Sequence, residues 1–389
     1  MDIHHYRPGK RARAVTDIIF WQHMVSPHQT AFLEQLARYW RDSAGGNIVL
    51  IFEKQMSARR QAQGWQACYP KGVVVISLEE PSLKDVWAEY FGKGHIHIFS
   101  GFSAYKSIRK SLYQALKLQE MSYVLAEKPN LIGASGSLKR LLYHLYPYRF
   151  DGKLSGIFAY GDSGAKFYRD IGFRQSRVMP FAYTVEAATE VISSMPAKQD
   201  VHFVFIGSDM ARKNLKLLFA ALSKLAPKLN WRLTVVSTDD VSRFRQLAAA
   251  MKIDRHITFT GPLAKEKVFE LLGCATALVL PSVHDGWGVV VNEALMVGTK
   301  VIVSDAAGAS CLVTVPTAGQ VFKSGDVLSL QQKLETVIAQ GTPDKEERRQ
   351  LSAWAEKTIS PQVIAAYLLE CIKLDNANSL KAPWKELLS

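Results

Sequence analysis

Two carboxylates, Asp285 and Glu293, stand eight residues apart with two glycines and a tryptophan between them, in the run Pro281-Ser282-Val283-His284-Asp285-Gly286-Trp287-Gly288-Val289-Val290-Val291-Asn292-Glu293-Ala294-Leu295. The apolar residues 277–280 before them read as a buried strand. Those after Gly288 read as a helix, with Glu293 about two turns in. A glycine-rich turn at a helix start offers free backbone N–H groups and the positive end of the helix dipole, a ready seat for phosphate. Carboxylates beside it can accept hydrogen bonds from sugar hydroxyls. The combination suits a sugar joined to a phosphate. Upstream, Arg212 and Lys213 follow an apolar run and Gly207. Two cations at that place can neutralise a diphosphate without a metal. The chain contains no Asp-x-Asp, and Asp239-Asp240 reads as a cap for a helix at Val241. No metal and no cofactor is therefore expected.

The elements that hold these residues alternate apolar runs with helix-period segments, the pattern of doubly wound α/β domains. Strands are predicted at 18–21, 48–52, 73–76, 95–99, 123–126 and 156–159, with a helix opening at Ser26-Pro27. A second series starts at 202–207 and repeats the rhythm: helix 215–225, strand 232–236, helix 241–251, strand 257–261, another helix, and the strand at 277. Helices over 345–357 and 361–373 close the chain. A chain of 389 residues suits two domains rather than one core. Residues 1–185 form the first and 200–359 the second. Residues 186–199, small and polar around Pro196, form a linker, and 360–389 a closing helix and tail.

Composition narrows the setting. With 48% hydrophobic and 21% charged residues the chain is globular, and no apolar run approaches the roughly 20 residues of a membrane span. The N-terminus lacks the apolar core of a signal peptide. Cys68, Cys274, Cys311 and Cys371 are scattered with no CxxC, as reduced cytosolic thiols would be, which places the protein in the cytoplasm. The net charge of +13 is uneven: residues 1–180 hold 25 Lys/Arg against 14 Asp/Glu, and the remainder 23 against 21. A basic first half implies an anionic partner. Zinc-finger spacings and RNA-recognition motifs are absent, so anionic lipid is expected rather than nucleic acid. Residues 104–119 carry Lys106, Arg109, Lys110 and Lys117 on one side of a helical pattern. Residues 138–149 interleave Lys139, Arg140 and Arg149 with Tyr143, Tyr146 and Tyr148, which suits a peripheral position on the inner face of the plasma membrane and equally a helix that buries one face on a sheet and solvates the other, the reading that fits 104–119 better.

The 285–294 segment resembles the acid-x7-acid motif of the retaining group 1 (family 4) glycosyltransferases, E-G-F-G-x-x-x-x-E-A, with Asp285 for the first Glu and Trp287 for Phe. Gly298-Thr299-Lys300-Val301-Ile302-Val303-Ser304-Asp305 is similar to that family's helix-to-strand exit. The resemblance covers most of 200–360. It is fainter at Phe20-Trp21-Gln22 and Ser26-Pro27-His28-Gln29, which look like the opening of some bacterial polysaccharide and lipopolysaccharide transferases. It implies the GT-B fold, an α/β architecture of two Rossmann-like domains facing across a cleft, with the active site at the carboxyl ends of the strands.

By that resemblance Glu293 accepts hydrogen bonds from the nucleotide ribose and Asp285 holds hydroxyls of the donor hexose. The backbone of Gly286, Trp287, Gly288 and Val289 meets the sugar and phosphate. Lys213 matches a family lysine on the diphosphate. The family's arginine directly after the glycine is Ser208 here, so Arg212 is the candidate replacement. His28 and Gln29 are candidates for the acceptor side of the cleft. Where many relatives carry a histidine, this chain has Phe99-Ser100-Gly101-Phe102, so no catalytic histidine is assigned. The implied activity is retaining transfer of a hexosyl unit from a nucleoside diphosphate sugar to a lipid-linked saccharide acceptor. The leaving diphosphate would help deprotonate the acceptor. Alternatives are a GT-B epimerase or phosphorylase, or a non-catalytic subunit that binds sugar nucleotide or glycan. Ser208 and the missing histidine favour the last; Asp285, Glu293 and Lys213 oppose it.

Overall fold

The computed structural model describes residues 16–57, 60, 68–79, 82–186, 201–225, 229–374 and 380–388. The expected linker at 186–199 lies, from residue 187 on, outside them. The strands are β1 Ile18–Gln22, β2 Ile48–Phe52, β3 Val74–Ser77, β4 Ile96–Ser100, β5 Met121–Ala126, β6 Gly156–Tyr160 and β7 Arg177–Phe181, followed by β8 Val201–Ile206, β9 Trp231–Val236, β10 Ile257–Phe259, β11 Ala277–Leu280, β12 Lys300–Ser304 and β13 Gly319–Phe322. The described helices are α1 Thr30–Ala44, α2 Leu83–Tyr90, α3 Lys106–Lys117, α4 Gly133–Phe150 and α5 Gly161–Asp170, then α6 Met210–Lys213, α7 Leu215–Leu222, α8 Ser242–Ala250, α9 Lys265–Cys274, α10 Val290–Met296, α11 Val327–Gln340, α12 Lys345–Ile359 and α13 Pro361–Lys373.

Two parallel sheets result, ordered β3-β2-β1-β4-β5-β6-β7 and β10-β9-β8-β11-β12-β13. Helices cover both faces of such sheets, so their central strands read as unbroken apolar runs. Ile48–Phe52 (IVLIF) is buried at every position. Strand order reverses between β1 and β4 and again between β8 and β11, and ligands in open α/β sheets bind at the carboxyl ends beside such a switch point. The halves share one apolar cluster that includes Phe32 and Leu36 of α1, Trp287, Leu295 of α10, and Ile364 and Leu368 of α13. Helix α13 thus packs back onto α1. Arg177 of β7 donates to the carbonyls of Cys371 and Leu374 at the end of α13.

Several local expectations need correction. Ser26-Pro27 opens a turn rather than a helix: the Gln29 N–H donates to the Ser26 carbonyl at 3.0 Å, and α1 begins at Thr30. Strand β7 is absent from the sequence reading because RVMPF contains a proline. It is tolerated here because β7 is an edge strand. Strand β13 is also absent from that reading. Asp240 bonds Ser242 at 2.9 Å near the start of α8, whereas Asp239 caps nothing there and instead accepts from the Met210 N–H at 3.0 Å. Glu293 lies in the first turn of α10, not two turns in.

Helix α4 is unusual in what it turns outward. Tyr143 and Tyr146 pack inward against Phe167 and Phe102, and Phe150 is buried with them. Outward lie Leu138, Leu141, Leu142 and Leu145, each 48–62% exposed, and Tyr148 at 89%. The i, i+3, i+4, i+7 spacing makes these leucines one stripe. Lys139, Arg140 and Arg149 are exposed on the same helix, with Arg149 also lying over the ring of Tyr113.

Candidate functional site

The cationic pair is set by a single helical turn. Helix α6 is flanked by Asp209 (φ 60°) and Asn214 (φ 57°), both left-handed, a conformation that Asp and Asn adopt at less cost than other side chains. The turn ends the loop after β8 and aims Lys213 back under Gly207. A Cβ at Gly207 would stand 3.1 Å from Lys213 Cε, so the lysine stem lies close along the glycine. The Val283 N–H donates to the Arg212 carbonyl at 3.0 Å and ties this turn to the loop after β11.

That loop delivers Asp285. Lys213 Nζ is 2.6 Å from Asp285 Oδ2, and Arg212 Nη1 is 3.5 Å from Oδ1. Arg212 also donates to Asp209 at 3.1 Å and to the His284 carbonyl at 3.1 Å. Arg212 is thus tied at once to Asp209, His284 and Asp285. Burial pushes the Asp285 carboxyl up, but Lys213, then Arg212 and His284, outweigh it and hold the group below the ordinary carboxylate value. Asp285 stays ionised.

The following residues are held by close backbone approach. Gly288 has φ +97°, and a Cβ there would meet Leu280 Cδ2 at 2.7 Å. A Cβ on Gly308 would lie 2.3 Å from the Gly286 carbonyl oxygen. Among the described residues no protein acceptor engages the N–H groups of Trp287, Gly288 or Val289. The Trp287 side chain is buried: its indole N–H donates to Asn292 Oδ1 at 2.7 Å, and Asn292 Nδ2 donates to the Tyr183 carbonyl at 2.8 Å. Only the backbone of Trp287 is placed to meet a ligand; its ring braces this loop against the segment leaving the first sheet.

Glu293 is only partly open to the cleft. Burial raises its carboxyl to about 7, against the opposing pull of Lys265 and Lys213. No protein hydrogen bond reaches that carboxyl among the described residues. Of the first-half candidates, His28 faces Lys265 of α9 and Arg60, and burial, aided by these two cations, lowers it to about 4. It is neutral at pH 7. The Gln29 side chain bonds the Tyr160 hydroxyl. His95 and His97 are structural: His95 accepts from the Asp17 N–H at 3.1 Å and His97 from the Trp21 indole at 3.1 Å. The structure thus gathers Arg212, Lys213, Asp285 and Gly286 to Val289, with Glu293 beside them facing Lys213, and sets His28 and Gln29 across the cleft.

One residue escaped the sequence reading. Glu127 follows β5 and reaches the loop of Asp285. Its position was legible, as a charged residue immediately past the carboxyl end of a buried strand. Among the described residues no three or more His, Cys, Asp or Glu side chains gather as a metal site.

Comparison with known proteins bears on the family and the fold. Residues 190–358 match the family model of the glycosyl transferases group 1. The chain is 28% identical over 153 residues to the lipopolysaccharide glucosyltransferase WaaG of Escherichia coli, which covers 39% of each protein. It is 26% identical over 106 residues to an uncharacterised glycosyltransferase of Methanocaldococcus jannaschii, 27% of each. The chain therefore spans less than half the length of these curated relatives. Among solved structures, Anabaena HepE in complex with UDP aligns with a TM-score of 0.68 at 14% identity, covering 92% of this chain and 99% of that one. WaaG aligns at 0.58 and 14%, with the same coverage. At such identities the likeness is one of fold, and that fold is the one the acid-x7-acid resemblance implied.

Proposed function

We propose that this chain, which has the GT-B fold, is a glycosyl transferase of group 1, whose family model matches residues 190–358, and that it moves a hexosyl unit from a nucleoside diphosphate sugar to a lipid-linked saccharide, with retention, in surface polysaccharide biosynthesis. One observation carries the donor half: Lys213, with Arg212 beside it, is fixed against Asp285 across the switch point of the second sheet, next to the unengaged N–H groups of 287–289. A diphosphate seated there meets two cations and three donors without a metal. Those groups are already oriented before the leaving charge develops, which is how a fixed site lowers a barrier. Glu293 then takes the ribose hydroxyls and Asp285 the hexose. A solved neighbour bound to UDP-glucose and the lipopolysaccharide role of WaaG support a nucleoside diphosphate hexose and a glycan acceptor for this chain.

The membrane half rests on α4. Leu138, Leu141, Leu142 and Leu145 lie outward with Lys139, Arg140 and Arg149 around them. No described helix is long and apolar enough to cross a membrane. In this reading the exposed stripe rests on the inner face of an anionic bilayer, leucines in the headgroup boundary and cations on the phosphates. The tyrosines first read as contacts, Tyr143 and Tyr146, instead hold the helix to the protein. A thermal-shift screen against UDP-, GDP-, ADP- and dTDP-sugars tests the donor reading, because a ligand of the folded state raises the melting temperature. A rise with one nucleotide series is expected; no rise with any would remove the assignment.

A further inference from the structure

The carboxyl edge of the first sheet holds polar side chains that the fold does not satisfy. His23 and Glu53 are the first residues past β1 and β2. The ladder continues between them: the Glu53 N–H donates to the Gln22 carbonyl at 3.0 Å and the Lys54 N–H to the His23 carbonyl at 2.9 Å. The two side chains therefore stand side by side. His23 Nδ1 and Glu53 Oε2 face each other at 3.7 Å, too far for a hydrogen bond, and neither atom has a hydrogen-bond partner among the described residues. Gln22 Nε2 and Ser100 Oγ, one residue past the paired Trp21 and Phe99, are also buried and unpartnered among them. Buried polar atoms without partners are rare in native folds, and several at one strand edge point to a ligand. The start of α3 holds the pair in place. The Tyr105 ring stacks on the imidazole with centroids 3.7 Å apart, and the Ser107 hydroxyl donates to Glu53 Oε1 at 3.2 Å.

Glu127, past β5, is by contrast already engaged. The Tyr183 hydroxyl donates to its Oε1 at 3.0 Å, and a Cβ built on Gly286 would stand 1.8 Å from its Oε2, so glycine at 286 lets this carboxylate brace the donor loop. His23 is the open group: its side chain is 30% exposed, and Nε2 has no hydrogen-bond partner among the described residues. We infer that His23, aligned by Glu53, binds the acceptor saccharide by accepting a hydrogen bond from one of its hydroxyls. The inference rests on the donor site proposed above and names what stands opposite it. The hydroxyl on His23 is not the reacting one. That one gives its proton to the leaving diphosphate. His23 and Glu53 orient the acceptor and take no part in the proton transfer.

The chemistry selects a neutral polyol. A carboxylate facing Nδ1 favours the proton there and leaves the Nε2 lone pair for a hydroxyl. Burial lowers the imidazole below its ordinary value; Glu53 opposes that shift, and Lys54 and Arg60 reinforce it. The ring is therefore neutral at pH 7. Those three groups past β2, with Tyr105 stacked on the ring from the start of α3, are the titratable and charged groups that face His23 among the described residues. A phosphate would find no donor at Nε2 and a carboxylate behind the ring, so phosphate charge belongs on Lys213 and Arg212 instead. Protonation at lower pH occupies Nε2. Affinity for the acceptor therefore falls as pH drops through the lowered value.

The test compares His23→Phe, His23→Gln and Glu53→Gln in the full chain. Phe keeps a ring on Tyr105 and removes the lone pair; the Gln amide can return a polar atom near the place of Nε2. The donor probe is the sugar nucleotide giving the largest wild-type thermal shift. The acceptor probes are the octyl glycosides of glucose, galactose, N-acetylglucosamine and heptose. Wild type should glycosylate at least one of them. H23F should raise the KM for that acceptor about tenfold, lower kcat less than about threefold, and keep the thermal shift with donor. H23Q and E53Q should lie between. The wild-type acceptor KM should rise between pH 7 and about 5, and that of H23F should not. An H23F acceptor KM within about twofold of wild type overturns the assignment. So does loss of the donor thermal shift in H23F, which would put His23 on the donor. Should H23F fail to fold, a wild-type acceptor KM that is flat over that pH range overturns it. Wild type that binds donor and glycosylates none of the four overturns the saccharide reading of this edge while the donor site stands. Failure of the wild type to bind any of the sugar nucleotides overturns the donor site, and this inference with it.

Discussion

The two halves share an architecture and divide the work. In the second, a cation after β8 and a carboxylate after β11 meet within one half, beside glycines 286 and 288. In the first, the corresponding strand ends offer aromatic rings and single side chains: Tyr160, Gln29, His28 and Glu127. A phosphate cradle is made of backbone, so it needs glycines and charges at fixed spacing, and that spacing survives as a motif. A group reaching across a cleft needs only one side chain at the end of a strand. The first half instead carries the excess positive charge and the outward leucines of α4.

If the second half is the donor site, its ion pair should be the most sensitive point in the molecule. Lys213→Ala leaves Asp285 poorly solvated, with Arg212 and the Ser282 hydroxyl each at 3.5 Å. Removing one partner of a buried pair typically costs about 3–5 kcal/mol. We expect a lower melting temperature and at least about a hundredfold loss of turnover by the same scale. Arg212→Ala should cost less of both, because that side chain is a third exposed and shares its contacts with Asp209. Equal losses would mean that Arg212, not Lys213, dominates the clamp.

Glu293→Ala should weaken donor binding and reduce transfer at least about tenfold, as a charge-assisted hydrogen bond of roughly 1.5–3 kcal/mol would require. Without donor the sign reverses. The folded carboxyl, raised to about 7, holds its proton more tightly than the unfolded one. Its contribution to stability is therefore fully present below the unfolded value and is lost as pH rises through about 7. Glu293→Gln should accordingly raise the melting temperature of the ligand-free protein at pH 8 relative to wild type, and change little at pH 4. Thermal denaturation at the two pH values decides this; equal effects at both would show that Glu293 is not held protonated.

The first half should answer to lipid instead. Leu141→Ser with Leu145→Ser removes two side chains worth about 1.5–3 kcal/mol each on burial, so binding to anionic vesicles should fall more than tenfold while turnover of a soluble probe is kept. The triple change of Lys139, Arg140 and Arg149 to Gln should act more weakly and vanish at high salt, where charge is screened. Wild-type protein that ignores anionic vesicles in co-sedimentation would leave the leucine stripe without a bilayer; a concentration-dependent dimer in the same buffer would point to a second copy. The smallest effect expected is none: turnover should persist in excess EDTA, since Lys213, Arg212 and the N–H groups of 287–289 meet the diphosphate charge. Loss restored by magnesium or manganese would contradict that.

The sequence disclosed unevenly for physical reasons. Parallel strands buried on both faces wrote themselves as apolar runs, so ten of the strands from β1 to β12 could be placed by hydrophobicity, and β12 by its resemblance to a family exit. β7 hid behind Pro180, and β13 is short with half its residues only partly buried. The motif announced Asp285 and Glu293, but not that the Trp287 ring turns inward to Asn292, because spacing carries no rotamer. Tyr143 and Tyr146 of α4 looked like part of the membrane face and proved to be packed, while Tyr148 stays outside. Composition could not tell an inward aromatic from an outward leucine. Glu127 had no partner in sequence at all: its meaning lies in Gly286, 159 residues later.

The central claim is that the diphosphate of a sugar nucleotide is bound by Lys213 and Arg212 on the second half, without metal. A crystal structure of the chain with an intact nucleoside diphosphate sugar tests it most directly. The account predicts diphosphate oxygens within hydrogen-bond reach of Lys213 Nζ, Arg212 and the N–H groups of 287–289, with the ribose on Glu293 and the hexose between Asp285 and Glu127. A nucleotide seated elsewhere, or one whose diphosphate is bridged to the protein by a metal ion, would contradict it.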